Sequence, residues 1–203
     1  MNNFDLVVIG ACHGFWLEDD VKKCTNKVLL IEPVKYNFDQ LKNRFKNYKN
    51  IIFENIAIGE KNELIDFFYI LESSVTKLKK HWASGIGSFS KDHILKHRTK
   101  RFQVTEDDIK SIKIKAVTFD NVIEKHKIER INKLIIDTEG FDYKIIKSIN
   151  FKKILINEIM FEKKHLAGTF QIDDKLDEIK NFFLKENYKI FDISEENILA
   201  KKI

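Results

Sequence analysis

Proline occurs once in these 203 residues, at position 33, and cysteine twice, at positions 12 and 24. So little proline rules out a proline-rich spacer. Two cysteines this close together build no disulfide framework, which fits the reducing interior of a cell. Long apolar runs are missing too. "LVVIG", "VLLIE" and "KLIID" are of strand length, far short of the roughly 18 residues of a membrane span. The first run leads straight into a glycine turn with no cleavage site, so no secretory signal is expected and the protein is placed in the cytoplasm. There are only seven glycines, so those that fall at strand ends carry weight.

Neither sign of charge is scarce: 36 Lys and Arg face 31 Asp and Glu, a net charge of +5. The densest basic stretch, "KDHILKHRTKR" at 91–101, reads as a solvated helix or loop, with a dock for phosphate, nucleic acid or an anionic saccharide as the alternative. Aromatics do not interleave it as they do in single-strand readers, so nucleic acid is not an expected partner.

What the chain does contain is 17 Phe among 43% hydrophobic residues, enough for the core of one domain. "FDLVVIG", "KVLLIEP" and "NIIFENIAIG" read as strands. "FWLEDDVKKC" and "NFDQLKNRFKNY" between them read as helices, the second with Phe38, Leu41 and Phe45 at helical spacing and Asn37 as N-cap. "LIDFFYIL" alternates as a fourth strand. A polar, basic stretch at about 72–113, containing "SGIGS", reads as an insertion or lid within a single 1–203 domain. Alternation then resumes with "IKAVTFDNVIEKHKI", "NKLIIDTEGFDYKIIKSI" and "KILINEIMF". The amphipathic helix "DDKLDEIKNFFLKENY" and a terminal hairpin, "KIFDISEENILAKKI", complete the chain. Strands alternating with helices predict an α/β fold with a mostly parallel, Rossmann-like sheet covered on both faces.

Ligands of such sheets bind at the carboxyl ends of the strands. The first strand delivers Gly10-Ala11-Cys12-His13-Gly14, a turn that lets a ligand approach the backbone. The second delivers Glu32, about 20 positions on, where an acid can accept from ribose hydroxyls. The third delivers Asn55, Ile56 and Ala57, which can frame an adenine edge. "LIID" delivers Asp137, Thr138 and Glu139. Each is weak alone, since an acid after a strand often only caps the next helix. The four together point to one crevice.

The segments "VVIGACHG", "LLIEP", "NIAIG", "VTFDNVIEKHKIERINKLIIDTEGFDYKII" and "ILINEI", spanning residues 5–162, resemble an FkbM-type methyltransferase of the class I S-adenosylmethionine-dependent superfamily. The family's Leu-Asp pair and Asp-x-Glu-Gly-x-Glu turn are matched by Phe119-Asp120 and Asp137-Thr138-Glu139-Gly140-Phe141-Asp142. The family's acid two positions before the first glycine is Val8 here. The resemblance implies a seven-stranded sheet with one antiparallel strand near the end, and S-adenosylmethionine as cofactor. Gly10, Ala11, Cys12, His13 and Gly14 would wrap its methionine end, Glu32 and Pro33 its ribose, and Asn55, Ile56 and Ala57 its adenine, with Asp137 and Glu139 beside the methyl group. It also implies O-methylation of a hydroxyl on a sugar or glycan, or on a natural product, with a glycosyltransferase domain or partner nearby.

An alcohol acceptor must lose its proton, and Asp137 or Glu139 is the expected base or orienting group, with His13 and His81 as second choices. Cys12 is read as a small turn residue rather than a nucleophile. Trp82, Ser88, His93 and Glu158 are expected to contact the acceptor, although Trp82 could equally pin the insertion to the core. No metal is required. A divalent cation on Asp137, Glu139 and Glu158 is an alternative, whereas no His/Cys ligand spacing is read as zinc-binding. Two competing functions share these features. An NAD-dependent oxidoreductase uses a similar turn but needs a third glycine, and position 17 is Leu. A cofactor-binding scaffold without catalysis is the other.

Overall fold

The computed structural model describes residues 2–168 and 174–203. β1 (Asn3–Ile9) is followed by a 3-10 turn at Phe15–Leu17 and a short α1 (Glu18–Lys22). β2 (Lys27–Ile31), α2 (Lys35–Arg44) and β3 (Ile51–Glu54) come next. Leu6–Ile9 of β1 and Val28–Ile31 of β2 are continuous apolar runs because both faces there are covered, the pattern of a central parallel strand. One face packs Leu6, Val8, Val28 and Leu30 against Leu17, Leu41 and Phe45. The other packs Phe4, Val7, Leu29 and Leu134 toward the later helices.

β4 (Ala57–Ile58), β5 (Glu63–Ile70), α3 (Glu72–Leu78), a 3-10 turn at His81–Gly85, β6 (Gly87–Ser88), α4 (Lys91–Lys96) and β7 (Ile109–Val117) form the middle of the chain. These strands make a second sheet, in the order β4-β7-β5-β6, apart from the large one. The predicted third strand is therefore split: β3 joins the large sheet, and β4 pairs with β7 in the small one. The insertion between β5 and β7 has its own core of Ile70, Leu78, Ala83, Ile86, Ile94, Phe102 and Val104.

α5 (Phe119–His126) starts at Thr118, whose side chain accepts from the Asn121 amide. β8 (Arg130–Ile136), α6 (Asp142–Ser148), β9 (Leu155–Glu162) and α7 (Asp174–Lys185) follow. Leu176, Ile179 and Phe183 of α7 are buried as its spacing predicts. Asp173, the first residue expected in that helix, lies outside the described residues. β10 (Tyr188–Asp192) and β11 (Asn197–Lys202) form the terminal hairpin.

The large sheet has seven strands in the order β10-β11-β9-β8-β1-β2-β3. It is mixed: β11 runs antiparallel to both its neighbours, and the pairs among the other strands are parallel. The chain leaves β1 toward β2 on one side, while β8 fills the other. The order thus reverses at β1, where such sheets open a crevice at their carboxyl edge. Among the described residues, no helix is long and apolar enough to cross a membrane.

Candidate active site

The carboxyl ends of β1, β2 and β8 open into one pocket. Ile9, Gly10 and Cys12 line it from the first strand end, Ile31, Glu32, Pro33 and Val34 from the second, and Asp137, Thr138 and Glu139 from β8. Ile56, Ala57 and Ile58 form one side, while Phe67, Gly85, Gly87, Ser88, Phe89 and Phe141 roof it from the second sheet, the insertion and the turn before α6.

Gly10 sits at φ +86, and a Cβ there would fall 1.7 Å from the Asp137 carbonyl oxygen. Only glycine lets the turn lie this close to the neighbouring strand end. Cys12, also left-handed at φ 49, aims its amide at Glu32 Oε2, 2.8 Å away. Glu32 Oε1 accepts from the Val34 amide at 2.7 Å. The Asn37 side chain also hydrogen-bonds this carboxylate, which lines the pocket. Burial pushes Glu32 up to about 7 against those hydrogen bonds. Burial and the charge of Glu32 also push the Cys12 thiol up to about 12, which keeps it a thiol rather than a nucleophile.

Several expected contacts lie elsewhere. Ala11 is fully buried in the core beneath the turn. Gly14, at φ +74, faces Leu41 and Phe45, where a Cβ would come within 2.5 Å. It admits α2 against the turn rather than bordering the pocket. His13 accepts from the Phe15 amide through Nδ1, and its carbonyl takes a hydrogen bond from Arg44. Asn55 donates to the carbonyls of Glu32 and Pro33, so it braces β2 while the next two residues line the pocket. Asn37 is not a helix cap: it donates to the Ser84 carbonyl at 2.7 Å and ties α2 to the insertion. His81 is exposed, and its carbonyl accepts from Ser84.

Two acceptor-side expectations are corrected. Trp82 packs on Phe102, ring centroids 4.6 Å apart, and lies outside the pocket. Glu158 lies within β9, opposite Lys133 in register, and its side chain pairs with Lys201 at 2.7 Å. The carboxyl end of β9 is Glu162, four residues further on, so Glu158 cannot join Asp137 and Glu139 around an ion. Ser88 does line the pocket.

At the end of β8, Asp142 is wholly buried and accepts from both the amide and the hydroxyl of Thr138, pinning the turn. Burial pushes it up to about 8. Desolvation, with the charges of Glu139, Asp142 and Glu162, holds Asp137 well above the usual carboxylate range. Glu139 adopts φ 50, a conformation costly for a side-chain-bearing residue. Its Oε2 faces three histidines: His165 Nδ1 at 3.2 Å, His97 Nε2 at 3.6 Å and His93 Nε2 at 4.0 Å. Burial would raise Glu139, but its contacts with His165 and His93 bring it down to about 2. Burial opposes the charge on His165, yet Glu139 and Glu162 carry it up to about 10. Burial takes His97 down to about 4. His93, read from sequence as a substrate contact, thus belongs to a cluster with His97, His165 and Glu162 that the sequence reading missed. The His93/His97 spacing in "HILKH" was the available signal.

Residues 9–190 match the methyltransferase FkbM domain. Solved structures similar to this chain include the Methanococcus jannaschii fibrillarin pre-rRNA processing protein, at 15% identity, 99% coverage of this chain, 67% of that one and TM-score 0.48. Aeropyrum pernix fibrillarin with natively bound S-adenosyl-L-methionine is 9% identical, with 97% and 66% covered and TM-score 0.48. SMU.1697c, a putative methyltransferase from Streptococcus mutans in complex with SAH, is 11% identical, with 100% and 91% covered and TM-score 0.44. No curated protein matches the chain. The chain belongs to the methyltransferase FkbM domain family, whose model spans most of its length. It is a methyltransferase.

Proposed function

We propose that this enzyme O-methylates a hydroxyl of a sugar or glycan, with the donor held along the carboxyl edge of β1 and β2 and the acceptor under the aromatic roof. The observation that carries the reading is the meeting of Gly10, Glu32, Ile56, Ala57 and Asp137 in one pocket beneath Phe67, Phe89 and Phe141. The buried Glu32 carboxylate suits the ribose diol, Ile31, Ile56 and Ala57 suit the adenine, and the Gly10 turn leaves backbone exposed to the methionine end. S-adenosylmethionine supplies an electrophilic methyl group on a sulfonium. The chain must align an acceptor oxygen with it and take that oxygen's proton. Asp137, which opens into the pocket, is assigned that proton at a carboxylate oxygen. Glu139 is engaged by histidines and is assigned to their cluster instead. Ser88 supplies a hydroxyl, and the edge-on pairs Phe67–Phe89 and Phe89–Phe141, with centroids 5.4 and 4.9 Å apart, offer apolar ring faces to the C–H side of a sugar.

The same reading takes the chain as one domain with residues 72–113 as a lid, and a glycosyltransferase as the class of enzyme that supplies its acceptor. The free thiols of Cys12 and Cys24 suit a cytoplasmic setting. The test is transfer of labelled methyl from S-adenosylmethionine to a panel of free sugars, oligosaccharides and phenolic natural products. Label on a sugar hydroxyl supports the proposal; label confined to phenols overturns the acceptor class.

A further inference from the structure

Three imidazoles and two carboxylates converge on one spot behind the pocket. His93 lies on α4, and His97, one turn later, caps it. His165 lies just beyond β9, Glu139 just beyond β8, and Glu162 is the last residue of β9. His93 Nε2 and His97 Nε2 are 3.4 Å apart. His165 Nδ1 is 3.2 Å from Glu139 Oε2 and 3.1 Å from Glu162 Oε2, and His97 Nε2 is 3.6 Å from Glu139 Oε2. A tetrahedral ion with ligands at about 2.0–2.1 Å sets them about 3.3 Å apart. These separations are those of a ligand shell, and the side chains forming it are 5–21% exposed.

We propose that His93, His97, His165 and Glu139, with Glu162 as a further oxygen ligand or as the carboxylate that orients His165, bind one divalent first-row transition ion. The donor set selects the ion class. Imidazole nitrogens favour zinc, cobalt, nickel or ferrous iron, whereas magnesium and calcium prefer all-oxygen shells. Charge agrees, since a divalent cation that displaces the His165 proton is balanced by the two carboxylates. The backbone is shaped for this convergence. Glu139 is held at φ 50, and Gly140, at φ 103, packs so closely on Gly168 that a Cβ would meet its Cα at 2.7 Å. That contact brings the His165 loop against the end of β8. The four ligands come from three separate segments, and α4 supplies two of them at the i, i+4 spacing that puts both imidazoles on one helix face.

Glu139 also lines the donor pocket. A bound ion would therefore stand at the acceptor end, where it would lower the pKa of a hydroxyl. This consequence rests on the methyltransferase reading; the binding does not.

The full chain, stripped with a chelator and dialysed, is titrated with Zn2+ and separately with Co2+, with S-adenosylhomocysteine binding measured in parallel. The proposal expects one equivalent of Zn2+ per chain and the intense visible absorption of low-coordinate Co2+. His97→Ala and His165→Gln each weaken Zn2+ roughly 100-fold while S-adenosylhomocysteine still binds, which shows the variants are folded. Wild-type protein that binds S-adenosylhomocysteine but no stoichiometric Zn2+ overturns the site. So does Zn2+ binding that both variants retain unchanged, because adventitious surface histidines then hold it. Stoichiometric Zn2+ with no S-adenosylhomocysteine binding supports the metal site and removes the donor reading instead.

Discussion

The two walls that meet at Glu139 are built on different physics. The wall proposed for the donor is apolar, with Ile9, Ile31, Ile56 and Ala57 around the buried Glu32 carboxylate, and that carboxylate accepts from backbone amides at strand ends. The histidine wall is ionic. It packs three imidazoles against two carboxylates, and its members come from the insertion, the end of β8 and the segment at and after the end of β9. The first wall follows directly from sheet topology, because a strand that ends at the carboxyl edge must deliver its next residues there. The second depends on how an inserted helix docks, which no strand order dictates. A site can thus have one half inherited from its fold and one half added by an insertion.

The largest effect should fall on the pocket carboxylate two residues before the junction of the two walls. Asp137→Asn is expected to lower kcat about 10^3-fold with S-adenosylhomocysteine affinity retained, checked by single-turnover methyl transfer beside calorimetry. Turnover near the wild-type rate would remove Asp137 from proton transfer and leave positioning to the histidine wall. Next comes Gly10→Ala. The missing space against the Asp137 carbonyl and the φ of +86 are expected to cost about 3 kcal/mol in urea denaturation, along with donor binding.

Glu32→Gln should weaken S-adenosylhomocysteine about tenfold, the loss of a charged acceptor to the ribose diol. Its pH dependence follows from burial. Glu32 is held at about 7 against an ordinary 4.5, so the fold favours the protonated acid. That contribution to stability is full below about 4.5 and is lost as pH rises through about 7. Donor binding favours the carboxylate, so affinity should strengthen over the same rise, and the Gln variant should show neither trend. The smallest effect belongs to Trp82→Ala, outside both walls: about 1 kcal/mol of stability from lost packing on Phe102, with donor affinity unchanged by calorimetry.

That Gly10, Glu32 and Asp137 meet in one pocket was legible in the sequence. Gly10, Glu32 and Asp137 each follow a continuous apolar run, and such runs become buried parallel strands. Asn55 was misplaced because β3 stops at Glu54 and the amide turns back to brace β2. The second sheet shows in the sequence only as a difference in strand pattern. β5 alternates, half exposed, as an antiparallel strand does, unlike the unbroken runs of β1 and β2. Glu158 lies mid-strand, and the end of β9, Glu162, is the residue that reaches the histidine cluster. The histidine wall carried one local signal, the i, i+4 pair in "HILKH". Its partner His165 is remote in sequence and meets that pair only through the fold.

The most direct test of the donor pocket is calorimetric titration of S-adenosylmethionine and of NADH into wild-type protein and Gly10→Ala. The structure predicts saturable one-to-one binding of S-adenosylmethionine to wild type, none of NADH, and loss of S-adenosylmethionine binding in the variant. No heat from S-adenosylmethionine at millimolar concentration with folded wild type, or equal binding by the variant, would contradict it.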